Sequence, residues 1–132
     1  MRRILVVDDD EALLDMIILV LSEAGYEVLA AENGEQALVR QQTSPADLVI
    51  TDIVMPQRGG IETIIDLKKQ YPDLKVIAIS GISQGGQSRM LDWARRVGAN
   101  KTFVKPFELK DLMLAIKTLL SKPTDFSVTP PE

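Results

Sequence analysis

Five times along this chain a short apolar run is followed by a longer amphipathic segment. Ile4-Leu5-Val6-Val7 is β-branched and uninterrupted, and reads as a strand buried on both faces. Tyr26 to Ala30, Leu48-Val49-Ile50, Val76-Ile77-Ala78-Ile79 and Thr102-Phe103-Val104 read as four more strands. Helical segments fall between them: Asp10 to Ala24, Asn33 to about Gln42, about Ile61 to Gln70, Ser88 to Val97, and Leu109 to Leu120. Gly25 and Gly98 stand where C-terminal caps belong, and Asn33 can cap the helix after it. Strands alternating with helices imply βαβ units, whose right-handed crossovers put helices on both faces of one parallel sheet. In such a sheet ligands bind beyond the carboxyl ends of the strands, where the strand order reverses.

Composition narrows the chemistry that could take place there. The chain has 132 residues, the size of one domain, and its 45% hydrophobic and 26% charged residues are globular values. Residues 1–121 carry the periodic pattern. Residues 122–132 hold three prolines and no periodicity, and read as a tail or the start of a linker. With no cysteine, disulfides, thiolate metal sites and cysteine nucleophiles are excluded, and with no histidine so are Ser-His-Asp triads and His-ligated zinc. The chain also cannot carry a phosphohistidine of its own. A net charge of −4 disfavours direct nucleic-acid binding. The longest uncharged apolar run, Met16 to Leu21, is far short of the roughly 20 residues of a membrane span. The apolar stretch before Asp8 is also too short for a signal peptide, so the expected location is cytoplasmic.

The strand ends supply Asp8 and Asp9 after the first strand, Asp52 after the third, Ser80 after the fourth and Lys105 after the fifth. Singly, each has an ordinary explanation: acid at a helix start, a turn cap, a small loop residue, a strand end. Asp10 and Glu11 read best as favourable acid at a helix N-terminus. An order of 2-1-3-4-5 would make strands one and three neighbours and bring three carboxylates together, with Ser80 and Lys105 flanking them. Such a cluster suits Mg²⁺, a hard cation held by carboxylates, water and phosphate oxygens. A lysine and a hydroxyl beside a carboxylate nucleophile then make the parts of a phosphoryl transfer onto aspartate.

Residues 2 to about 121 resemble the receiver domain of two-component response regulators. The resemblance rests on Arg3 to Asp10, Asp47 to Pro56, Val76 to Gly81 and Phe103 to Phe107, in order and with the family's spacing. It implies a flavodoxin-like, doubly wound five-stranded parallel sheet in the order 2-1-3-4-5 with five helices. It implies Asp52 as phosphoacceptor, and Mg²⁺ at Asp8, Asp9, Asp52 and the backbone carbonyl of Val54. Ser80 and Lys105 are implied at the phosphoryl group, with a cis Lys105-Pro106 bond. The implied partners are a sensor histidine kinase or histidine phosphotransfer protein and an unidentified downstream effector, with no membrane attachment. The implied role is a switch that assists its own phosphorylation and hydrolysis rather than an enzyme. A Mg²⁺-dependent phosphohydrolase with an aspartyl-phosphate intermediate, or a docking receiver that is never phosphorylated, are the alternatives.

Three features depart from the family's pattern. Gln57-Arg58-Gly59-Gly60 follows Pro56 where the family often has Met-Asp-Gly. Val54 and Ile82 are apolar where the family modulates dephosphorylation, so a long phosphoryl lifetime is expected. Thr102 replaces the family's switch aromatic and is expected to be a spectator, leaving readout to the loop 81–87. The first helix is apolar nearly all round, which fits either deep burial or a docking edge at Leu13 and Met16.

Overall fold

The computed structural model describes residues 2–53, 59–81 and 87–121, with the backbone alone at 87–89. The elements alternate strictly. They are β1 (Arg3–Val7), α1 (Glu11–Glu23), β2 (Glu27–Ala31), α2 (Gly34–Thr43), β3 (Leu48–Asp52), α3 (Gly60–Gln70), β4 (Lys75–Ser80), α4 (Gln87–Val97), β5 (Lys101–Val104) and α5 (Leu109–Ser121). All strand pairs are parallel, and the sheet order is β2-β1-β3-β4-β5, as the sequence led us to expect.

Local chemistry sets the boundaries. Asp10 caps α1 by accepting from the backbone N–H groups of Ala12 and Leu13, and Asn33 caps α2 by accepting from Gln36 N. Gly25 and Gly98 end α1 and α4 at φ of 101° and 128°, where a side chain would be strained. One boundary differs from the sequence reading in a way that matters. β3 continues past Ile50, with Thr51 and Asp52 paired to Ala78 and Ile79 of β4. Asp52 is therefore the last residue of the strand, held by the ladder, and not a loop residue beyond it.

Successive strand residues point to opposite faces, so the apolar runs feed two separate cores. Leu5, Val7, Val49, Val76 and Ala78 pack with Ala37, Ile64, Leu67, Leu91 and Ala94, beneath α2, α3 and α4. Ile4, Val6, Ile50, Ile77 and Ile79 pack with Leu14, Ile17, Leu21, Leu112 and Ile116, beneath α1 and α5. This two-sided burial is the reason the strands read as continuous apolar runs.

In α1 burial is confined to one face. Leu14, Ile17 and Leu21 are buried, while Met16 and Leu19 are exposed. Ile17→Ala is expected to cost about 2–5 kcal/mol in chemical denaturation. Leu19→Ala, two positions away on the same apolar helix, should stay within about 0.5 kcal/mol. Among the described residues no helix is long and apolar enough to cross a membrane.

Candidate functional site

Four strand ends meet at the carboxyl edge of the sheet. Val7 pairs with Thr51, so the residues that follow them, Asp8 just past β1 and Asp52 at the end of β3, stand side by side. Asp8 and Asp52 are buried, and Asp9, which leaves the ladder, is exposed. Each of the three offers a carboxylate oxygen, and these oxygens all lie within 4.8 Å of one another. Lys105 follows β5 and reaches across the end of β4, where its Nζ donates to Asp8 Oδ2 at 3.1 Å and to Asp52 Oδ2 at 3.0 Å. Ser80 is the buried last residue of β4. Its carbonyl accepts from the Lys105 backbone N–H at 2.8 Å, and its hydroxyl donates only a long bond, 3.3 Å, to Gly81 O. The Lys105-Pro106 bond is cis.

The electrostatics follow from this packing. Burial pushes the Asp8 carboxyl up; the Asp10 N–H that donates to its Oδ1 at 2.9 Å pulls the other way, the Asp52 charge adds to the rise, and Lys105 offsets part of it. The net shift is upward. Lys105 is pulled down by burial, but its hydrogen bond to Asp52 and the charges of Asp52 and Asp8 outweigh this and raise it. The folded protein thus holds the Asp8 proton more tightly than the unfolded chain does. Without metal, the contribution of Asp8 to stability falls as pH rises from the ordinary carboxylate value through the raised one. Asp8→Asn should flatten that dependence and raise the metal-free thermal midpoint near neutral pH by a few degrees, read in thermal scans at stepped pH.

Every described residue that the sequence singled out for this site is here: Asp8, Asp9, Asp52, Ser80 and Lys105. Val54 and Ile82 lie outside the described residues, as do 55–58 and the loop glycines 85 and 86. Two features were missed. Gly60 presses so closely on the end of β3 that an added Cβ would run into the Asp52 carbonyl oxygen and Ile53 Cα. The adjacent glycines 59 and 60 were the only signal for it. Arg95 stands in the last turn of α4, where a cation complements the helix C-terminus, and its guanidinium also bonds Asp92 and the Thr102 hydroxyl. An exposed arginine can reach several partners, and sequence spacing does not choose between them.

Residues 4–117 match the family model for the response regulator receiver domain. The chain is 37% identical over 120 residues to the response regulator receiver protein CpdR of Brucella abortus, covering 91% of this chain and 98% of that protein. Several other relatives are longer, and the chain spans about half or less of their length. Among solved structures, the receiver domain of NtrX from Brucella abortus superposes with a TM-score of 0.83 at 32% identity, covering 91% of this chain and 99% of that one. The response regulator TrrA of Thermotoga maritima, solved in complex with Mg²⁺ and BeF, superposes with a TM-score of 0.77 at 37% identity, covering 90% and 99%.

Proposed function

Because this chain belongs to the response regulator receiver family, we propose that it switches conformation when Asp52 takes a phosphoryl group from a partner's phosphohistidine. One observation carries the reading. Asp52 stands beside two further acids and a lysine that already touches it, at the carboxyl edge of the sheet.

The donor set fits Mg²⁺. Carboxylate oxygens of Asp8, Asp9 and Asp52 are hard ligands spaced for one small ion, and water, phosphoryl oxygen and the Val54 carbonyl would complete its shell. Three carboxylates against one ammonium leave two negative charges, which a divalent cation neutralises. When bound, the ion supplies positive charge to the incoming phosphoryl oxygens.

The chain's own residues do the rest. An Asp52 carboxylate oxygen attacks phosphorus; its O–P bond forms as the N–P bond of the phosphohistidine breaks, and the electron pair returns to the imidazole. Lys105 stays with the charge, passing from Asp52 Oδ2 to a phosphoryl oxygen. Ser80, whose hydroxyl is weakly engaged, turns to donate to another. The partner must bring the histidine, since this chain has none. That partner is a sensor histidine kinase or a histidine phosphotransfer protein in the cytoplasm. The product is a changed surface on residues 1–121 for a downstream effector, with 122–132 as tail or linker. The Mg²⁺ and BeF complex of TrrA supports the ligand class.

The test is incubation with acetyl phosphate and Mg²⁺, followed by peptide mapping. One phosphoryl group on Asp52, blocked by a chelator, is expected, and labelling at any other residue would overturn the assignment.

A further inference from the structure

α4 is joined to the acidic pocket at both of its ends. Residues 81–86 lead into it from Ser80, and Gly98 to Asn100 lead out of it into β5, which runs up to Lys105. β4 and β5 are themselves tied at the pocket by the bond from Lys105 N to Ser80 O. Ser80, α4, β5 and Lys105 therefore form a closed circuit. The described arm of that circuit runs from Lys105 down β5 to the place where α4 rests on the sheet. Much of that seat is apolar, built on Leu91 and Ala94. It also has a polar tie. Thr102, paired with Ala78, lies on the same face of β5 as Val104. Arg95 Nη2 donates to Thr102 Oγ1 at 2.9 Å, and its Nη1 donates to Asp92 Oδ1 at 2.8 Å. The planar fork of a guanidinium holds both partners in fixed directions. The Arg95 side chain is 56% exposed, so the tie is weak enough to open without threatening the fold.

We propose that Arg95 is a positioning residue, a latch that holds α4 against β5 while Lys105 is paired with Asp8 and Asp52, and that loading the pocket and opening the latch are coupled. The inference rests on Asp52 being the phosphoacceptor. It also replaces the expectation that Thr102 is a spectator. Coupling is reciprocal: if a phosphoryl group favours the open latch, an opened latch favours binding at the pocket.

The experiment is calorimetric titration with beryllofluoride, a phosphoryl mimic, in saturating Mg²⁺. It compares wild type, Arg95→Met, Thr102→Val and the double variant. Each single change should tighten binding about two- to fivefold, the range set by an exposed tie. The double variant should gain no more than either single one, because both remove the same contact. Arg95→Lys, which keeps the charge and loses the fork, should behave as Arg95→Met. A residue with a merely structural role would lower the thermal midpoint and leave the affinity alone. Unchanged or weakened affinity, or gains that add in the double variant, would overturn the latch. Wild-type protein that takes up no beryllofluoride would overturn the phosphoacceptor reading, and the latch with it.

Discussion

Asp52→Asn takes up no phosphoryl group from acetyl phosphate and Mg²⁺, while the folded chain survives intact: that is the expected result, and the loss should be on the order of a hundredfold or more. Asparagine has nearly the shape of aspartate, but its amide is no nucleophile. The replacement removes one of three mutually repelling carboxylates, and Lys105 keeps Asp8 as a partner. The thermal midpoint should therefore hold or rise, and the missing chemistry cannot be put down to misfolding. Intact mass spectrometry reads the uptake. Label retained at an unchanged rate would place the acceptor elsewhere. Lys105→Met tests a different part of the same step. It leaves the nucleophile in place and removes the positive charge that balances it, so uptake should slow without disappearing.

The second large effect comes from a residue with no side chain. In Gly60→Ala the new methyl meets the carbonyl of Asp52 itself and the backbone of Ile53. Neither can rotate away, as a side chain would. The Gly60 N–H also donates to Ile53 O at 2.9 Å, which ties the start of α3 to the end of β3. Relief requires the end of β3 or the start of α3 to move, at about 1–3 kcal/mol, toward the upper end because the obstructing atoms are backbone. That corresponds to roughly 3–6 °C of thermal midpoint per kcal/mol for a chain of this size. Beryllofluoride affinity should fall with it, since the displaced atoms include those of Asp52. Gly59→Ala is the control. Its Cβ would meet open space and its φ of −68° suits any residue, so little should change. Equal effects at the two glycines would show that crowding is not the cause.

Much of this was legible in the sequence, for identifiable reasons. Uninterrupted apolar runs such as Ile4 to Val7 suit strands covered on both faces, and their alternation with helical segments points to helices on either side. The polar residues at strand ends stand out because they interrupt those runs. What escaped depends on distances through space. The chain announces that Gly59 and Gly60 are adjacent glycines, but not which one lies against Asp52. It places Arg95 and Arg96 at the end of a helix, where a dipole argument treats them alike. Only the packing of α4 on β5 gives Arg95 a hydroxyl to hold. The extension of β3 to Asp52 was hidden for the opposite reason: polar side chains look like loop, while the backbone continues the ladder.

Ile77 and Ala78 are neighbours in the chain yet sit in different cores, on either side of one layer of backbone. The sheet is thus a partition, and the two halves of the interior can be altered independently. Substitutions beneath α1 and α5 should combine additively with those beneath α2, α3 and α4, whereas pairs within one half should not. A lineage could then rework the helices on one side to suit a new recipient of the signal and leave the packing behind α1 untouched. Asp52, anchored in the backbone ladder between the two halves, would keep its place throughout.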